Sequence, residues 1–122
     1  MAHILVVEDD TQFLQLLVTM LKADGHQVAT AADGALALQQ VDKLQPELII
    51  TDILMPNMDG VETILALSQR GIAAPIIAMS GGRRSISAEF NLASASLMGV
   101  QAVLTKPFTR QALREAIGKV LG

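Results

Sequence analysis

Five short apolar runs constrain this chain more than any other feature. They fall at residues 4–7, 26–30, 48–52, 75–79 and 100–104, and each is followed by turn formers and then by apolar residues at helical spacing. Runs this short, alternating with longer helical patterns, imply βαβ units around a parallel sheet. The run at 48–52 ends on a single carboxylate, Asp52, with Met55-Pro56-Asn57-Met58-Asp59-Gly60 as a turn-rich stretch beyond it. Asp52 is therefore offered at the carboxyl end of a buried strand, where open α/β sheets place their ligand sites. A capping or turn role fits this stretch equally well until the other strand ends are considered.

Taken in order, Ile4-Leu5-Val6-Val7 is continuously apolar, as a strand covered on both faces should be. Glu8-Asp9-Asp10 ends it, and Asp10 or Thr11 caps a first helix carrying Phe13, Leu14, Leu17, Val18 and Leu21, with Gly25 as its C′ residue. The run at 26–30 is less apolar, which places it at a sheet edge. Asp33-Gly34 opens a second helix with Leu36, Leu38, Val41 and Leu44 as its apolar positions, and Pro46 lies beyond its end. Asp59 caps a third helix with Val61, Ile64, Leu65 and Leu67, stopped by Gly71. A fourth helix is predicted over about 85–98, and Thr109 caps a last one carrying Leu113, Ile117, Val120 and Leu121. Five strand–helix alternations make an α/β, doubly wound, five-stranded parallel sheet with helices on both faces. Right-handed crossovers favour the flavodoxin-like order 2-1-3-4-5 over a small barrel.

Composition narrows the function. A chain of 122 residues is one domain by length, residues 1–122, and buries roughly two-thirds of its unfolded surface without staples. The absence of cysteine removes disulfides, thiolate zinc sites and thiol nucleophiles together. The absence of Trp and Tyr leaves nothing to stack on a flavin ring. A formal charge of −3 is a poor match to a phosphate backbone, so no nucleic-acid partner is expected. No apolar run approaches the ~20 residues of a membrane span, and no signal peptide is recognisable. A soluble, cytoplasmic protein is expected.

Under the order 2-1-3-4-5 the first, third, fourth and fifth strands bring Glu8, Asp9, Asp10, Asp52, Ser80 and Lys106 near one another. Several carboxylates at one edge repel, and a hard divalent cation resolves the repulsion; oxygen ligands with open water positions suit Mg²⁺. Lys106 supplies a compact positive charge for a phosphate or carboxylate partner, and Ser80 a hydroxyl donor. Together these form a phosphoryl-transfer site with Asp52 as nucleophile, because carboxylates are covalent phosphoryl acceptors.

Those residues resemble the response-regulator receiver domains of two-component signal transduction, over essentially the whole chain. The resemblance is carried by Ile4 to Asp10, by Asp52-Ile53-Leu54-Met55-Pro56 with Asp59-Gly60, by Ser80-Gly81 and by Lys106-Pro107-Phe108. It implies a phosphorylatable signalling switch of the stand-alone type. Asp52 would take its phosphoryl group from a phosphohistidine on a sensor histidine kinase or histidine phosphotransfer protein, and the product would alter binding to a downstream protein as yet unknown. It also implies that Glu8 and Asp9 form the acidic pair, that Asp9, Asp52 and the Leu54 backbone carbonyl ligate Mg²⁺, that Ser80 is the switch hydroxyl, and that the Lys106–Pro107 peptide is cis. A receiver catalyses only its own phosphorylation and slow dephosphorylation, so no separate enzyme activity is expected.

Two departures stand out. The family usually has Tyr or Phe three residues before the lysine, where this chain has Val103. Valine has no ring to swing inward, so signal is expected to leave through the loop at 81–84 and the helix after it. The segment from Ser80 to Lys106 is also several residues longer than in most receivers. The competing reading is a phosphoaspartate-forming hydrolase of haloacid-dehalogenase type. That chemistry needs an acid two residues after the nucleophile, and position 54 is Leu.

Overall fold

The computed structural model describes residues 2–52, 60–81 and 100–121. The elements run β1 (His3–Val7), α1 (Thr11–Ala23), β2 (Gln27–Ala31), α2 (Gly34–Leu44), β3 (Leu48–Asp52), α3 (Gly60–Gln69), β4 (Ile76–Gly81), β5 (Ala102–Lys106) and α4 (Arg110–Leu121). The five strands form one sheet in the order β2-β1-β3-β4-β5, and every pairing is parallel. The expected α/β doubly wound topology is the one observed. The helix expected over 85–98 and the loop at 82–84 lie outside the described residues.

Strand side chains alternate between faces, and the core divides accordingly. Ile4, Val6, Leu48, Ile50, Ile77, Met79 and Leu104 point to the side covered by α1 and α4, where they meet Leu17, Leu21, Leu113 and Ile117. Leu5, Val7, Ala31 and Ile49 point the other way, onto Ala37, Leu38 and Val41 of α2 and Leu67 of α3. Every residue of β3 is buried, whereas β2, at the sheet edge, buries only Ala31 fully. That contrast is the physical content of the lower apolarity of β2.

The helix ends follow from local chemistry. The Asp10 carboxylate accepts the Gln12 and Phe13 amides at 3.0 and 3.2 Å, and Asp33 accepts that of Leu36 at 2.9 Å. Thr109 Oγ1 accepts the Ala112 amide at 3.0 Å. Two helices close with the same pair of backbone bonds: Gly25 N–H to Lys22 and His26 N–H to Leu21 end α1, and Gly71 N–H to Ser68 and Ile72 N–H to Leu67 end α3. The turn requires a left-handed residue, and Gly25 and Gly71 supply it with φ of 89° and 72°. The ion pair between Arg110, about half-exposed, and the largely covered Asp24 carboxylate links the end of α1 to α4.

Three sequence expectations shift. In α2 the buried stripe is Gly34, Ala37, Leu38 and Val41, while Leu36 and Leu44 stay 40% and 42% exposed. Small residues let this helix lie close to the sheet, so the contact stripe runs through Ala37 and not through every large apolar side chain. In α3, Leu65 is likewise on the solvent side, and Thr63 is buried beside Ile64. The last strand begins and ends two residues later than its apolar run, because the ladder to β4 continues from Ile77↔Ala102 to Gly81↔Lys106. Backbone pairing does not stop where side chains cease to be apolar, and Lys106 is consequently a strand residue.

A Cβ at Gly71 would meet nothing within 4 Å, so the cost of a side chain there is conformational only. Gly71→Ala is expected to lower the unfolding free energy by about 1–2 kcal/mol, seen as a lower urea midpoint with an unchanged m-value.

Candidate functional site

The sheet order decides which strand ends meet. β1 lies beside β3 with Val7 opposite Thr51, so Glu8 and Asp9, the residues that leave β1, fall next to Asp52 at the end of β3. β5 lies beyond β4, about 10 Å from β3 at the usual strand spacing. The four-carbon stem of Lys106 crosses that distance. Its ammonium donates to Asp52 Oδ2 at 2.9 Å and to Glu8 Oε1. Ligand atoms of Glu8, Asp9 and Asp52 lie within 4.8 Å of one another. Glu8, Asp9, Asp52 and Lys106 therefore converge as expected from the sequence. The backbone of Ser80 is placed in β4 opposite Thr105. The Ser80 side chain and the Leu54 carbonyl lie outside the described residues. The Lys106–Pro107 peptide is cis. Val103 pairs with Ala78 inside the sheet.

Burial makes this cluster electrostatically tense. Glu8 is 1% exposed and Asp52 3% exposed. Taking a carboxylate out of water disfavours its charged form, and burial pushes the Glu8 pKa from 4.5 up to about 7. Hydrogen bonds from Lys106 and from the Asp10 backbone N–H oppose the rise, and the Asp52 charge adds to it. The Asp10 amide reaches Glu8 Oε2 at 3.0 Å, so both carboxylate oxygens of Glu8 have donors. Burial acts to lower the Lys106 pKa, but the hydrogen bonds and charges of Glu8 and Asp52 outweigh it, and the net direction is upward. Lys106 is therefore a permanent cation between two acids.

The three carboxylates suit a hard cation. All their donors are oxygens, two of the three residues are buried, and the acids repel one another without a positive charge among them. That donor set fits Mg²⁺ and offers nothing soft enough to select a thiophilic metal.

Sequence reasoning placed Phe13 on the apolar face of the first helix and went no further. Its ring lies under the lysine, with the Lys106 Nζ 4.4 Å from the ring centroid. Phe108 meets that ring edge-on, with centroids 5.5 Å apart. The available signal was position: Phe13 is in the first turn of the helix that starts at the acidic edge.

The sheet is a five-stranded parallel one of doubly wound order, with a lysine spanning to a strand-end aspartate beside an acidic pair at its carboxyl edge. The profile of the response regulator receiver domain matches residues 4–118, and the chain belongs to that family. The chain is 36% identical over 118 residues to the transcriptional regulatory protein PrrA of Mycobacterium tuberculosis, covering 97% of this chain and 48% of the relative. It is 30% identical over 118 residues to the alkaline phosphatase synthesis transcriptional regulatory protein PhoP of Bacillus subtilis, with the same two coverages of 97% and 48%. The chain thus spans about half the length of these curated relatives. Among solved structures it is similar to the chemotaxis protein CheY4 of Vibrio cholerae, at 30% identity and a TM-score of 0.87, with 98% of each chain covered. A receiver domain from Clostridium thermocellum superposes with a TM-score of 0.90 at 27% identity, covering 99% of this chain and 94% of that one. No described helix is long and apolar enough to cross a membrane.

Two outcomes test these electrostatics. The raised pKa means that Glu8 favours the fold below its ordinary 4.5, and that this contribution is lost as pH rises through about 7. With divalent cations chelated, the stability difference between the native protein and Glu8→Gln is therefore expected to shift against the native protein between those values. Urea midpoints measured across that range check it, and a difference that does not vary with pH would count against a raised Glu8. Lys106→Met leaves two buried acids facing each other, and about 3–5 kcal/mol of stability should be lost at pH 8. The loss should be smaller at pH 5, where Glu8 holds a proton.

Proposed function

We propose that Asp52 accepts a phosphoryl group from a phosphohistidine on a sensor histidine kinase or histidine phosphotransfer protein, and that the phosphorylated form alters binding to a partner protein. The observation that carries this reading is the Lys106 ammonium in contact with the Asp52 carboxylate beside two further acids. A carboxylate oxygen of Asp52 forms the new O–P bond, the P–N bond to the donor imidazole breaks, and the departing nitrogen keeps the electron pair and takes a proton. Asp52 thereby becomes an acyl phosphate.

Glu8, Asp9, Asp52 and the Leu54 carbonyl would hold Mg²⁺, which when bound neutralises charge between the acids and the phosphoryl oxygens. Lys106 contributes a fixed positive charge near the oxygens of the transferred group; with its pKa raised it does not act as a proton donor. Burial of Asp52 at a rigid strand end holds the nucleophile in one orientation, so positioning contributes as much as charge. Ser80 would donate its hydroxyl to the phosphoryl group. With Leu at position 54 no acid stands two residues after the nucleophile, and turnover of the acyl phosphate is slow. With a kinase or phosphotransfer donor the domain would act in the cytoplasm. The downstream partner is a protein, and the exit of the signal runs through residues 81–84 and the segment after them.

Incubation with Mg²⁺ and acetyl phosphate is expected to add the mass of one phosphoryl group per chain, and chelation of the cation should prevent it. Asp52→Asn should gain none. Equal modification of Asp52→Asn, or release of many phosphates per chain, would overturn the reading.

A further inference from the structure

The aromatic ring beneath the lysine belongs to none of the groups that accept, ligate or donate in the proposed reaction. Phe13 is half-buried in the first turn of α1, packed against the core on the α1–α4 side, and Phe108 fixes its tilt by an edge-on contact at 86° between ring planes. The Lys106 ammonium lies 4.4 Å from the Phe13 centroid, well inside the roughly 6 Å over which a ring face attracts a cation. The cation therefore has three partners: Glu8, Asp52 and the face of Phe13.

These partners do not keep equal weight. While Asp52 is a carboxylate, hydrogen bonds to Asp52 and Glu8 hold Lys106, and the ring adds little. As an Asp52 oxygen bonds to phosphorus, the carboxylate gives up its own charge and the ammonium must turn toward the phosphoryl oxygens. A lysine stem has four rotatable carbons and many ways to turn. The ring face blocks the directions on the α1 side and still attracts the ammonium, so it limits the lysine to those that end near the transferred group.

We infer that Phe13 is a positioning residue for Lys106, acting through a cation–ring contact that limits the directions open to the ammonium as Asp52 is phosphorylated. This rests on the reading of Asp52 as phosphoryl acceptor. It distinguishes the ring from the ordinary core packing of a first-turn apolar residue, because packing depends on the shape of Phe13 and not on the electron density of its face. Phe108 serves the same end indirectly, by holding the ring.

The experiment replaces Phe13 by fluorinated phenylalanines of nearly unchanged shape and decreasing face density, together with Phe13→Tyr and Phe13→Leu. Each is assayed for the rate of Asp52 phosphorylation by acetyl phosphate and Mg²⁺, with the unmodified protein and Asp52→Asn alongside. The rate should fall stepwise along the fluorinated series, by roughly three- to tenfold at pentafluorophenylalanine and at Phe13→Leu, the range a partly desolvated cation–ring contact spans. Phe13→Tyr should retain the native rate. Without any donor, the Lys106 ε-methylene protons should resonate upfield in the native protein and return toward ordinary values in Phe13→Leu. A fluorinated series that matches the native rate overturns the positioning role while leaving Asp52 as acceptor. An unmodified protein that takes up no phosphoryl group overturns the acceptor reading and the positioning role with it. Lys106 methylene shifts unaffected by Phe13→Leu overturn the contact itself.

Discussion

One ammonium ion shared by two buried carboxylates sets the terms for the carboxyl edge of this sheet. Glu8 and Asp52 are 1% and 3% exposed, and neither charge is tolerable there without a partner. Lys106 supplies it from two strands away, by hydrogen bonds to both. The raised pKa of Glu8 records how incompletely that compensation works. Glu8, Asp9 and Asp52 together form a set of oxygen donors that could hold a hard cation.

The rest of the fold keeps that edge rigid. The apolar core is divided by strand alternation into two layers, one under α1 and α4 and one under α2 and α3. β3 runs between them with every residue buried, and Asp52 is its last residue. A carboxylate at the end of the most enclosed strand has few orientations open to it. The caps at Asp10 and Asp33 begin helices close to the same edge, so their amides add positive ends to a region crowded with acids. Asp10 itself serves twice, with its carboxylate capping α1 and its backbone amide bonding Glu8.

Membership of the receiver family gives the domain its class, and the relatives show how variable its setting is. The chain spans about half of PrrA and PhoP and 98% of the solved CheY4 chain. Val103 stands inside the sheet opposite Ala78, where the resemblance leads one to expect an aromatic ring. The Phe13–Lys106–Phe108 group puts two aromatic side chains near the site, Phe13 on α1 against the Lys106 ammonium and Phe108 after β5 against the Phe13 ring.

The sequence by itself determined what depends on neighbours along the chain. Alternating apolar runs identified five strands, Asp10, Asp33 and Thr109 marked helix starts, and Gly25 and Gly71 marked helix ends. The acids at 8, 9 and 52 with the lysine at 106 marked the candidate site. Each of these rests on backbone periodicity or on a side chain reaching its own nearby amides. Tertiary structure decided what depends on contacts between distant segments. It carried β5 on to Lys106 through pairing with β4, chose Ala37 over Leu36 for the buried stripe of α2, and laid the Phe13 ring beneath Lys106. Apolar pattern cannot reveal such choices, because a parallel ladder is specified by its partner strand and the resting place of a long side chain by whichever surfaces the fold brings within its reach.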